Sequence, residues 1–186
     1  IEFLTKKKKI FLILLILPFV YTLTVFGSFW GQLKPAVYPA SWSKIKSVLE
    51  ADHRKFLIVA FPWHQYMRYR FNNNQAVYNL APLYFGDKIL SSRDYETKYL
   101  DSHETRLEAL HVTGLLRIQK EGANLLGEKV DSPVDWAQNL SVIGVKYVLM
   151  SKEEGWQDYQ FLYTDQNLKK IYDDENFILY ENLFYN

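Results

Sequence analysis

The densest collection of groups able to do chemistry is Pro62-Trp63-His64-Gln65-Tyr66-Met67-Arg68-Tyr69-Arg70. His64 can serve as a general acid or base, and Arg68 and Arg70 can pair with a phosphate or a carboxylate. Trp63 and Tyr66 can stack on a sugar face or sit at a lipid interface. The opposing reading has the rings plugging a sheet edge and the arginines solvated or ion-paired. With Tyr84, these residues form the candidate binding set: Trp63, His64, Tyr66, Arg68, Arg70 and Tyr84. What they face is left open between a membrane domain, a glycan and a lipid-phosphate.

The cluster is positioned by the run before it. Lys55 to Phe61 is almost continuously apolar, which predicts a strand buried on both faces. In α/β sheets ligands gather outside the carboxyl ends of such strands. Ahead of it, Trp42, Ile45, Val48 and Leu49 share one face of an amphipathic helix, with Ser41 as its expected cap. Asn72-Asn73-Asn74 reads as a turn, Gln75 to Leu80 as a strand, and Ala81-Pro82 as its break. A helical stripe runs from about Ser102 to Lys120, stopping at Gly122. Ser132-Pro133 and Asp135 open a further helix that stops at Gly144. Val145 to Met150 is a second buried strand, and a short helix follows around Trp156 to Tyr163. Leu168 to Tyr172 and Phe177 to Tyr180 flank a polar turn as a terminal hairpin. The fold class is α/β: a small mixed-sheet domain with flanking helices over residues 34–186.

Residues 1–33 read differently. Ile10 to Leu33 carries no charge and follows Lys6-Lys7-Lys8-Lys9. Roughly 20 apolar residues cross a hydrocarbon core of about 30 Å, so this stretch predicts a transmembrane helix. Pro18 is tolerated if Thr22 or Tyr21 hydroxyls satisfy the backbone it frees, and Phe29 and Trp30 fall where an aromatic belt belongs. The lysines keep the first end cytoplasmic and place residues 34–186 outside the cytoplasm. A cleaved signal peptide fits less well, since Val25-Phe26-Gly27 is a poor cleavage site. The sequence starts at Ile1 rather than Met, so the expectation is a fragment whose helix is the last of several.

Composition narrows the partners. Setting Lys6 to Lys9 and Glu2 aside from the chain's 22 basic and 21 acidic residues leaves 18 against 20. That balance argues against nucleic acid, which needs a concentrated basic surface. There is no cysteine, hence no disulfide, thiolate chemistry or cysteine metal site. His103-Glu104 and His111 are not a zinc pair: eight residues apart, the histidines point roughly 80° apart on a helix. Asp173-Asp174 in a turn reads as structural, Asp94-Tyr95-Glu96 as a lone acidic pair with no partner motif, and Asn139-Leu140-Ser141 as a chance sequon inside a helix. No glycine-rich phosphate loop or nucleophile elbow occurs, so no metal, cofactor or catalytic residue is assigned.

Several short segments carry a resemblance. They are Tyr38-Pro39-Ala40-Ser41-Trp42, the Pro62-Trp63-His64 turn with Tyr66, and Asn79 with Ala81-Pro82 and Tyr84-Phe85. Gly144 to Leu149 and the Ile171 to Asn182 hairpin complete the set. In these the chain resembles the C-terminal region of polytopic membrane proteins related to the GT-C glycosyltransferases and to the YfhO-like bacterial membrane proteins. The resemblance implies a cell-envelope enzyme that moves sugar from a polyprenyl-phosphate donor. Its catalytic acid would sit on an early loop that no position here matches, and this domain would have an accessory or acceptor-side role. The implied partners are the lipid bilayer, further transmembrane helices of the same protein, and a glycan or lipid-phosphate ligand. The alternative is a single-pass anchored binding or sensing module without enzymatic activity.

Overall fold

A computed structural model of the chain describes residues 8, 16–20, 22, 36–93, 106–122, 127–129 and 134–185. It divides into two units, Ile1–Val37 and Tyr38–Asn186.

In the first unit residues 16–20 are helical, and Ile16, Leu17, Phe19 and Val20 are all exposed. Thr22 Oγ1 donates to the Pro18 carbonyl at 2.8 Å and to that of Phe19 at 3.0 Å. It therefore serves carbonyls of its own turn; the one that Pro18 leaves open, four residues earlier at Leu14, lies outside the described residues. Among the described residues no helix is long and apolar enough to cross a membrane. Most of the Ile10 to Leu33 stretch, with Phe29 and Trp30, also lies outside them.

The second unit is mixed α/β. Its elements are α1 (Ala40–Ala51), β1 (Leu57–Phe61), β2 (Tyr66–Arg68), β3 (Ala76–Tyr78), α2 (Ala81–Phe85) and β4 (Ile89–Leu90), then α3 (Leu107–Glu121) and α4 (Trp136–Val142). They continue with β5 (Val145–Ser151), a 3-10 helix (Trp156–Thr164), β6 (Leu168–Asp173) and β7 (Phe177–Asn182). Five strands form one sheet in the order β4-β1-β5-β7-β6; β2 and β3 pair as a separate antiparallel hairpin. β4, β1 and β5 run parallel, while β7 opposes β5 and β6 opposes β7.

Both faces of the central strands are covered, which is why β1 and β5 read as predominantly apolar runs. Val59, Phe61, Val148 and Met150 pack on one side with Val112, Leu116, Trp136, Leu140 and Leu162. Ile58, Ala60, Tyr147 and Leu149 pack on the other with Trp42, Ile45, Met67 and Tyr69. Alternation in β5 fails at one point. Leu57 pairs with Val145 but Ile58 pairs with Tyr147, so Lys146 is the extra residue of a β-bulge. The bulge sends Val145 to one core and Tyr147 to the other, and turns Lys146 onto Asp52 and Glu181.

The helix starts differ from the sequence expectation. α1 follows Pro39 with no side-chain cap, and the Ser41 hydroxyl is buried without a hydrogen-bond partner among the described residues. Pro39 fixes its own φ and initiates the turn in its place. Ala81-Pro82 does not merely end β3; it opens α2, where proline suits the first turn. α4 starts at Trp136, beyond Ser132-Pro133, which lie outside the described residues. Asp135 caps it through the Gln138 amide at 2.9 Å, and Asp165 accepts the Ala137 amide at 2.8 Å. Gly122, at φ +64°, ends α3 as its sequence implies.

Candidate functional site

β1 ends at Phe61, and the chain passes through a cis Phe61–Pro62 bond into the turn that carries His64. That turn is pinned from three sides. The Trp63 amide donates to the Tyr159 hydroxyl at 2.9 Å, and its indole N–H donates to Thr113 Oγ1 at 3.2 Å. Buried Asn79 donates through Nδ2 to the His64 carbonyl at 3.2 Å and through its amide to that of Gln65 at 2.8 Å. Its Oδ1 accepts from the Tyr69 hydroxyl at 3.1 Å and from the Ala81 amide at 3.0 Å. A buried carboxamide that both donates and accepts in this way ties the turn to α2.

β2 then alternates. Met67 enters the core, while Tyr66 and Arg68 point outward. Across the hairpin Tyr66 faces Tyr78, their rings 6.2 Å apart, and Arg68 faces the small Ala76. The outward face of the hairpin, with His64, forms one wall of an open cleft of about 430 Å³. The other wall is Glu154 and Gly155, on the loop after β5. β1 and β5 are adjacent and parallel, so the cleft lies at the carboxyl ends of neighbouring parallel strands. Gly155 sits at φ +82°, a conformation that favours glycine, and brings the loop against His64.

The charges of the cleft are matched. Arg68 pairs with Glu154 at 3.5 Å, and both are exposed. Arg70 binds the buried Glu153 carboxylate through its backbone and Nε, each at 3.3 Å. Its guanidinium also reaches the Lys152 and Glu175 carbonyls at 3.3 and 2.8 Å. Arg70 therefore ties the hairpin to the loop after β5 and the turn after β6. The cleft wall carries the Tyr66 ring, the His64 imidazole, and the ion-paired Arg68 guanidinium and Glu154 carboxylate. That mixture offers donors and acceptors together, as a polyhydroxylated ligand requires, without the surplus of positive charge that a phosphate attracts.

The structure brings together only part of the candidate set. His64, Tyr66 and Arg68 line the cleft, and Arg70 braces it from behind. Trp63 is 8% exposed and belongs to the core, because its indole found a hydroxyl partner on α3. Tyr84 lies in a different cluster: its ring is 4.8 Å from Tyr38 and 5.0 Å from Trp42, and its hydroxyl shares a 3.2 Å hydrogen bond with Ser43. Residues that sequence reasoning passed over are Asn79 as the brace, Tyr78, and Glu153 to Gly155 opposite. The last could have been found, since the strand-end rule applied to Phe61 applies equally to the end of the second buried strand at Ser151. Of the rejected metal residues, His103 and Glu104 lie outside the described residues, and His111 lies on α3.

Compared with known proteins, the chain matches no family model, no curated protein and no solved structure.

Proposed function

We propose that this chain is the outer domain and last transmembrane helix of a polytopic membrane protein of the polyprenyl-phosphate-sugar glycosyltransferase type. Residues 34–186 lie outside the cytoplasm, and the domain plays an accessory, acceptor-side part. The observation that carries the reading is the His64 cleft, placed at the carboxyl ends of β1 and β5 and lined by both donors and acceptors. Its matched charges favour a glycan over a lipid-phosphate as the ligand. The uncharged Ile10 to Leu33 stretch after four lysines supports the membrane placement, as do the exposed apolar side chains of residues 16–20.

One observation favours a second reading, a single-pass anchored binding or sensing module. Among the described residues, those that line the cleft all belong to the second unit, Tyr38–Asn186.

The test uses the full-length protein with His64 and Arg68 both replaced by alanine. His64 is half-buried and Arg68 is 59% exposed, so folding survives the change. Glycan transfer falls by roughly tenfold or more at unchanged protein level, the loss of about one good polar contact. Transfer equal to that of the unaltered protein would sink the acceptor-side reading.

A further inference from the structure

The loop that closes the His64 cleft has a second cleft on its other side. Glu154 and Gly155 line the first, while Lys152 and Trp156 line the second. With Tyr163, Tyr180, Lys170 and Asp173, over the apolar Leu168 and Ile178, they line a groove of about 380 Å³, the size of a small-ligand pocket.

The 3-10 helix builds the aromatic side of this groove. It buries Tyr159 and Leu162, three residues apart as its period requires, and leaves Tyr163 at the surface. The Tyr163 ring lies 6.4 Å from Trp156 and 6.1 Å from Tyr180, so three rings follow one another along the groove. The polar side is an ion trio. Lys152 and Lys170 donate to the two oxygens of Asp173 at 2.6 and 2.7 Å, and Lys152 also reaches the Asp174 carbonyl at 2.5 Å. Lys152 first, then Lys170, holds the Asp173 carboxyl below its ordinary range, so it stays an acceptor at neutral pH.

The ligand class follows from these two sides. An ammonium group carries three N–H donors and a carboxylate about four acceptor positions, so the trio presents both kinds of group to a ligand. A phosphate would meet Asp173 seated between the two lysines. A purely apolar ligand would strip water from the trio and return nothing. A pyranose ring fits both sides, since its C–H face suits the negative face of an aromatic ring and its hydroxyl rim suits the trio. We propose that this groove is a saccharide-binding subsite, with one sugar ring seated on Tyr163 and its hydroxyls on Lys170 and Asp173. Arg70 donates to the Lys152 carbonyl at 3.3 Å, which fixes the loop between the two clefts. A single chain of sugar units runs past this loop through both. That last statement rests on the glycan reading of the His64 cleft; saccharide binding in the Tyr163 groove does not.

Calorimetry on the full chain in lipid nanodiscs tests this, with maltotriose, cellotriose, chitotriose and inorganic phosphate as probes. At least one trisaccharide binds and phosphate does not. Tyr163→Ala weakens that binding roughly tenfold, whereas Tyr163→Phe, which keeps the ring, stays within about threefold. Arg68→Ala weakens it comparably if one chain fills both clefts. An affinity that Arg68→Ala leaves intact and Tyr163→Ala lowers removes the glycan from the His64 cleft but keeps it in the groove. No binding of any trisaccharide, preferential binding of phosphate, or indifference to Tyr163→Ala overturns the proposal.

Discussion

Trp42→Ala lowers the unfolding free energy of the α/β unit by about 4 kcal/mol, within the range for removing a large buried ring. Trp42 is 1% exposed and holds one whole core together. It stacks on Phe85 at 5.3 Å with an interplanar angle of 3°, and meets Tyr38, Tyr84 and Phe177 edge-on at 4.9 to 5.1 Å. Those rings come from α2, β7 and the segment entering α1, so no single element can move to fill the void. Chemical denaturation reads the loss as a shift of the midpoint at unchanged slope. Trp42→Phe keeps part of the stacking and loses about half as much. A loss below about 1 kcal/mol for the alanine variant would mean that α1 does not pack on the sheet as described.

The second large effect is at Asp52. Lys146, 3% exposed at the bulge of β5, has its ammonium on the Asp52 carboxylate, with Glu181 at 3.5 Å. Asp52 also accepts from the Tyr147 hydroxyl at 2.9 Å and from Arg54 at 3.0 Å. Asp52→Ala strands the buried ammonium and costs about 3 kcal/mol, the low end for breaking a buried pair because Glu181 remains. Adding Lys146→Met removes the stranded charge and recovers much of the loss, so the two changes are far from additive.

The same site sets an acid limb. Burial raises the Asp52 carboxyl, but the hydrogen bonds from Arg54 and Tyr147 outweigh it and hold it below its ordinary value of 3.8. A carboxyl depressed in the folded state stabilises fully above its unfolded value, and that contribution disappears as pH falls through the folded one. Asp173, held down by Lys152 and Lys170, behaves alike. Thermal melts are therefore level from neutral pH to about 5 and fall below about 4. In Asp52→Asn the fall is shallower. A melting temperature that rises on acidification contradicts the network.

What the sequence made legible, and what it hid, divides by range. β1 and β5 announce themselves because a strand covered on both faces is predominantly apolar, and the terminal hairpin because Asp173 to Asn176 is turn chemistry. The bulge at Lys146 is invisible to any period-2 count, since it is set by Asp52 and Glu181 from distant parts of the chain. The His64 turn was visible from local composition, but which of its side chains face solvent was not. The Trp63 indole turns inward onto Thr113, fifty residues away, while its backbone amide is held by Tyr159, ninety-six residues away. Tyr84 looked like a cleft residue by composition alone, and α2 instead carries it onto Trp42. The ion pairs that neutralise Arg68 and Arg70 come from Glu153 and Glu154, whose role depends on β5 lying beside β1.

The proposed glycan would lie on the loops after β1 and β5, the backbone segments that form the two clefts. Hydrogen–deuterium exchange on the full chain in lipid nanodiscs, with and without saturating trisaccharide, tests this placement most directly. Exchange slows in residues 62–70 and 152–156 and is unchanged along α3. Protection confined to other segments, or none at a saccharide concentration where calorimetry shows binding, contradicts it.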